Sequence, residues 1–239
     1  MSMTGQMAPS LQAGIPSVAI DARCPHLIYR DVMGADYVTA LLNYVSERQA
    51  DFRPARVHNR TTGVQSLELN LRNCLYLGDL GALDAPIRSV VAAITPPALK
   101  ALQLIEPSIV PKEFDIGAYG DGGHFACHID TLERTERVRI LSCIYYFAAT
   151  PRRFTGGQLR LHGFPRRTVP AESPPPESFV DVEPETDSLV IFPSWLRHEV
   201  LPVCVPSAAW ADRRFTINCW IHRAPAHSGA HKERREQAE

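Results

Sequence analysis

The hydrophobic positions of this chain change their period partway along. Over residues 35–48, ADYVTALLNYVSER, the side chains of Tyr37, Leu41, Leu42 and Val45 fall on one side of a 3.6-residue repeat, which predicts an amphipathic helix. A second helical pattern covers 84–105 and meets Pro96-Pro97. A break or kink is expected there, because proline lacks the amide hydrogen and its ring collides with the preceding turn. Between the two, 52–77 is mixed; SLELNLRNCLYL alternates in part and predicts an extended segment. Beyond Pro107 the repeat shortens to two. The runs KEFDIGAY, HFACHID, VRILSCIYYFA, GQLRLHG, SFVDVEP, DSLVIFP, RHEVLPV and RRFTINCWIH are separated by turn residues, the signature of an all-β sandwich or barrel. Helices first and strands after place the helices against one face of a sheet, so the expected fold is mainly β with buttressing helices.

The flanks read differently. Residues 1–16 are small, polar and aperiodic, and are expected to be a disordered leader. Residues 17–223 read as a single domain, with a helical and mixed part over 17–110 and a β core over 111–223. Residues 224–239 read as a polar, solvated tail. No internal repeat is present.

Composition narrows the function classes. With 45% hydrophobic residues in 239, the chain can bury a full core. A formal net charge of −1 gives no electrostatic case for a nucleic-acid or membrane-surface partner. No apolar run is long enough to span a bilayer, and MSMTGQMAPSLQAG lacks the pattern of a signal peptide, so the expected location is cytoplasmic. The 6 cysteines form no CxxC pair, which argues against a structural zinc knuckle and for reduced thiols. Prolines cluster between 165 and 184; AESPPPES has the look of a polyproline ligand, but a stiff surface loop is the simpler reading.

The chemistry concentrates in HFACHID. Alternation along a strand puts His128 and Asp130 on one face, two of the three ligands of a facial triad for non-haem Fe(II). His124 is in phase with them but about 13 Å away along the strand. Cys127 points to the other face and reads as a small packed residue. The third ligand is sought in DSLVIFPSWLRHEV, where His198 follows an apolar strand and a proline-containing turn, at the sandwich rim opposite the HxD. In the final run, Arg214, Thr216, Asn218 and Trp220 share a face, so an inward Trp220 carries Arg214 inward with it. A buried guanidinium requires a carboxylate, and no acidic residue in the sequence is placed to supply one. A bound dicarboxylate would. Of the remaining residues, Trp195 and Trp220 read as core. Arg139 and Arg197 read as rim charges able to meet a substrate carboxylate, and Arg72 as a solvated charge, with a place at the pocket mouth as its alternative.

Taken in order, YGDGGHFACHID, RILSCIYYFA, GGQLRLHG, FPSWLRHEV and RRFTINCW resemble the 2-oxoglutarate- and Fe(II)-dependent dioxygenases, specifically their prolyl 4-hydroxylase-like branch, over about residues 111–222. The resemblance implies a double-stranded β-helix (jelly-roll) core. It implies His128, Asp130 and His198 as iron ligands, and Arg214 as the clamp on the distal carboxylate of 2-oxoglutarate. It further implies Tyr146 as a hydrogen-bond donor to that carboxylate and Tyr119 as a cosubstrate-pocket or substrate-side tyrosine. Thr216 and Asn218 are expected to line the pocket, and Gly156-Gly157 to make a turn. The implied cofactors are Fe(II), 2-oxoglutarate and O2, with ascorbate in a supporting role. The implied reaction hydroxylates an unactivated C–H bond while 2-oxoglutarate loses CO2 to give succinate. The carboxylate of Asp130 favours hydroxylation over halogenation. The chain departs from the family at Phe147-Ala148, where an Asn is frequent, and at His124, where an aromatic is. The implied partner is a small-molecule or peptidyl substrate: a prolyl residue, a proline-like amino acid or a small amino-acid-derived metabolite. A cupin-like metal-binding or isomerase barrel and a non-catalytic β-sandwich interaction module are the alternatives; the clustered histidines and Glu usual in cupins are absent from this sequence.

Overall fold

The computed structural model describes residues 24–58, 65–105, 108–131, 139–163 and 178–224. The expected leader 1–16, most of AESPPPES and all but the first residue of the tail lie outside the described residues. Two antiparallel sheets form the body of the molecule. The larger runs, edge to edge, Leu27–Arg30, Ser188–Pro193, Arg139–Phe147, Arg214–Arg223, Ile109–Tyr119, Leu75–Leu77 and Arg53–Pro54. The smaller runs Phe179–Val182, Leu159–His162, His198–Val200, His124–His128 and Arg72–Asn73. This is the jelly-roll expected from the strand pattern, with both helices on the outer face of the larger sheet.

Strand alternation builds two cores. Leu141, Cys143, Tyr145 and Phe147 point from Arg139–Phe147 toward the helices, where they meet Leu41, Val45, Ile87, Val91 and Ile94. From the same strand, Ile144 and Tyr146 point the other way, between the sheets, onto Leu159, Leu161, Val190 and Phe192. The central strand Arg214–Arg223 divides in the same way: Phe215, Ile217, Cys219 and Ile221 join the helix side. Arg214, Thr216, Asn218 and Trp220 are left facing the inside of the sandwich.

Helix Ala35–Glu47 buries Val38, Leu41 and Val45, with Tyr37 and Leu42 packed at its flank. Helix Asp84–Ala101 runs without a break through Pro96 and Pro97, so of the expected break or kink the break does not occur. The prolines remove donors to the carbonyls of Ala92 and Ala93, and all four residues are exposed, so water replaces the lost bonds while Ile94, Ala98 and Leu99 stay anchored. The sequence pattern also missed the edge strand Leu27–Arg30, which pairs with Ser188–Pro193. Asp187 fixes the turn that follows that edge strand. Its carboxylate accepts from the amides of Met33 (2.8 Å) and Gly34 (2.9 Å) and from the Tyr145 hydroxyl (2.8 Å). No helix among the described residues is long and apolar enough to cross a membrane.

Candidate metal centre and cosubstrate pocket

Neighbouring strands of the smaller sheet bring the two histidines together: His198, first in its strand, sits directly across from His128, last in its own. Asp130 lies just beyond the strand end, where its amide donates to Ser194 O at 2.9 Å. The Asp130 carboxylate then stands 3.5 Å from His128 Nε2 through Oδ1 and 3.5 Å from His198 Nε2 through Oδ2. All three ligand atoms fall within 4.8 Å of one another.

The surroundings orient them. His128 Nδ1 is 2.8 Å from Ala126 O and His198 Nδ1 is 2.8 Å from Leu196 O. A carbonyl only accepts, so each Nδ1 carries the hydrogen and each Nε2 turns its lone pair toward Asp130. Asp130 Oδ2 accepts from Ser142 Oγ at 2.6 Å and from Trp220 Nε1 at 2.9 Å. Burial alone would raise the Asp130 pKa, but the imidazoles of His198 and His128 hold it well below the usual carboxylate range. Burial, aided by His198, lowers the His128 pKa. One carboxylate and two oriented imidazoles make a donor set that could hold a metal ion, and it fits iron.

Deeper in the sandwich lies an incomplete site. Arg214 is 1% exposed, and its Nε and both Nη atoms have no hydrogen-bond partner among the described residues. The hydroxyls of Tyr146 and Thr216 are buried and unpartnered with it. Register explains the grouping: Thr216 lies between Tyr146 and Gly117, and Arg214 lies opposite Tyr119. The guanidinium carbon is 4.8 Å from the Tyr119 ring centroid and 5.0 Å from that of Tyr146. A Cβ on Gly117 would come within 2.7 Å of Thr216 Oγ1, and one on Gly157 (φ +71°) within 2.6 Å of Arg214 Cδ. Glycine at both positions is what leaves the room. A buried cation beside two free hydroxyls is costly unless an anion completes it, and a carboxylate matches both the charge and the fork of donors. Arg213, the other arginine of the pair, instead stacks on Trp210 at 4.8 Å.

A cavity of about 1010 Å³ opens onto the His128, Asp130 and His198 group and reaches Tyr119 and Asn218. Several residues differ from expectation here. Trp220 is half-buried and bonded to Asp130, and Trp195 is 39% exposed on the cavity rim, so neither is core. Cys127 is half-buried and borders the cavity, since the strand lies at its edge. Arg72 takes the pocket-mouth position, half-buried against Phe125 at 4.7 Å, because its strand pairs with the metal-bearing one. Arg139 stacks over Trp220 at 4.1 Å and pairs with Glu113. His124 is turned toward the carbonyls of Gly122 (3.0 Å) and Asn70 (3.2 Å), away from the metal group. Sequence reasoning passed over Ser142, Asp115 and Phe125. Ser142 shares its strand face with Tyr146, a signal that was there to read; contacts from Asp115 to Asn218 (2.8 Å) and from Phe125 to His128 (3.6 Å between ring centroids) exist only in the fold.

Comparison with known proteins finds similarity in both sequence and fold. Residues 114–222 match the 2OG-Fe(II) oxygenase superfamily. An uncharacterised PKHD-type hydroxylase of Synechocystis is 31% identical over 149 residues, 62% of this chain and 48% of that protein. The chain thus spans about half the length of this curated relative. A Pseudomonas putida prolyl-4-hydroxylase superposes with a TM-score of 0.58 at 21% identity, covering 84% of this chain and 95% of the other. A Trichoplax adhaerens prolyl hydroxylase, solved with a hypoxia inducible factor peptide fragment, gives 0.56 at 18% identity, covering 83% of each. The site and the superfamily match coincide on one stretch: residues 114–222 are similar to the 2OG-Fe(II) oxygenase superfamily, and the fold is that of the prolyl 4-hydroxylase structures.

Proposed function

We propose that this chain is an Fe(II)- and 2-oxoglutarate-dependent hydroxylase in which residues 17–223 act as one domain. His128, Asp130 and His198 would hold the metal, and Arg214, Tyr146 and Thr216 would receive the distal carboxylate of 2-oxoglutarate. The observation that carries this reading is the orphaned Arg214 guanidinium, buried with two free hydroxyls beside the His–Asp–His group. Iron, when bound with the keto acid, supplies the activation of O2, so that R–H, 2-oxoglutarate and O2 become R–OH, succinate and CO2.

The remaining work belongs to side chains. Arg214 sets the direction of the keto acid by fixing its far end, which converts orientation into rate. Tyr119 closes the same pocket with its ring face toward Arg214. Ser142 and Trp220 both donate to Asp130 Oδ2, which holds the carboxylate that would bind the metal. Asp130 itself takes the position that an external halide would need, which favours hydroxylation. A prolyl residue, a proline-like amino acid and a small amino-acid-derived metabolite all remain within the substrate class.

Titration of the purified protein with Fe(II) under anaerobic conditions, followed by 2-oxoglutarate, tests the reading. Binding of both and slow succinate release in air are expected, lost in His128→Ala and Asp130→Ala. A folded protein that binds neither would refute it.

A further inference from the structure

Of the charged groups that line the cavity outside the metal and keto-acid sites, Arg56 and Arg197 are exposed, while Arg72 and Asp115 are half-buried. Arg72 lies on the strand opposite Phe125; its guanidinium carbon is 4.7 Å from the Phe125 ring centroid, and Phe125 stacks in turn on His128 at 3.6 Å. Its Nε donates to Cys74 Sγ at 3.2 Å, and its two Nη groups have no carboxylate partner among the described residues. Asp115 borders the same cavity. Its Oδ1 accepts from Asn218 Nδ2 at 2.8 Å, and Asn218 is two positions from Trp220, the residue bonded to Asp130. The two charges act on each other without closing to a 4.0 Å ion pair. Arg139, also on the cavity, is already matched by Glu113. Among the half-buried charges that border the cavity, Arg72 and Asp115 are thus the cation and the anion without a close ion-pair partner among the described residues.

We infer that the substrate is a free amino acid, whose carboxylate docks on Arg72 and whose ammonium docks on Asp115. This rests on the hydroxylase reading above and narrows it. A residue inside a polypeptide brings two neutral amides to the site and would seal both charges away from water with only their separated mutual attraction to offset the cost. A free amino acid brings one charge of each sign. The Nη pair of Arg72, with no carboxylate partner among the described residues, suits two-pronged capture of a carboxylate, with the Phe125 ring packed against the guanidinium at 4.7 Å. Burial raises the Asp115 pKa, so an arriving ammonium would meet a carboxyl that gains from a cation.

The test measures succinate formation by the Fe(II)-loaded full chain with 2-oxoglutarate and each protein amino acid in turn. Three forms of each are compared: free, capped as the N-acetyl amide, and within a short peptide. At least one free amino acid is expected to raise succinate release and gain one oxygen, with the capped form about 100-fold poorer in kcat/KM. Arg72→Gln and Asp115→Asn, with folding checked by thermal melts, are each expected to raise KM for that amino acid by about 100-fold, with the smaller change in kcat. Asp115→Asn should also narrow the preference for the free over the N-acetylated form. Two results overturn the inference while leaving the hydroxylase reading standing. In one, no free amino acid stimulates turnover by a protein that binds Fe(II) and 2-oxoglutarate; in the other, capped and peptide forms match the free ones. Failure to bind Fe(II) and 2-oxoglutarate at all removes the hydroxylase reading first, and this inference with it.

Discussion

Arg214 is buried with no hydrogen-bond partner for its guanidinium among the described residues, a state that a bound anion would relieve. Arg214→Met is therefore expected to melt a few degrees higher than the wild type in the absence of 2-oxoglutarate, since a packed apolar chain replaces an uncompensated charge. The same variant should lose about 2–5 kcal/mol of 2-oxoglutarate binding. Differential scanning fluorimetry with and without the keto acid reads both; a wild type that gains no stability from 2-oxoglutarate would contradict the assignment. Asp115 makes a similar case with a defined pH dependence. Burial raises its folded pKa, so its charge opposes folding once the pH passes the unfolded value of about 3.9. Asp115→Asn should therefore be more stable than the wild type at pH 7, with the gap closing as the pH falls toward about 4. Asp130 is the contrast: its pKa is depressed, so it favours folding at neutral pH and loses that contribution in acid. Removing one of its donors, in Trp220→Phe, should weaken metal binding by about 10–100-fold without unfolding the protein, measurable by competition against a chelator.

At the scale of elements, the central strand Arg214–Arg223 carries both stability and site. Its odd residues fill the helix-side core and its even residues line the interior, so each face has a separate role. Ile217→Ala, on the helix face, should cost about 2–5 kcal/mol in chemical denaturation, with metal affinity of the folded fraction retained. The turn at Asp187 serves the opposite edge of the sheet. Three donors converge on its carboxylate, tying helix Ala35–Glu47 to the strand holding Tyr145 and Tyr146. Glycines do comparable work by what they lack. The close approach of Gly157 to Arg214 means that an added methyl must displace the arginine.

At the scale of the molecule, the candidate site joins the two sheets. His128 and His198 belong to the smaller sheet, while Arg214, Tyr146 and Thr216 belong to the larger. A metal held by one and a keto acid held by the other would couple them. Mn(II), as an oxygen-stable stand-in, together with 2-oxoglutarate should raise Tm by about 10–20 °C when each is present at about 100 times Kd, and a chelator should reverse it. Neither ligand alone should reproduce the combined shift.

Much of this was legible before folding, for definable reasons. A strand in a two-faced core must alternate, so the period of two announced the β-runs after Pro107 and fixed which residues of RRFTINCW travel with Arg214. The lack of a plausible carboxylate partner for that arginine was also a property of the sequence. Other features had no local signal. Leu27–Arg30 becomes a strand because Ser188–Pro193 offers it an edge, and Pro96-Pro97 is tolerated because solvent lies on that side of the helix. Trp220 and Arg72 read as core and solvent because nothing in their neighbours says that Asp130 and Phe125 await them. Local sequence thus determined the strands and which side chains share a face. Which faces meet, and so which buried charges end up unmatched around one cavity, depended on pairings between segments far apart in the chain, and only the tertiary fold decides those.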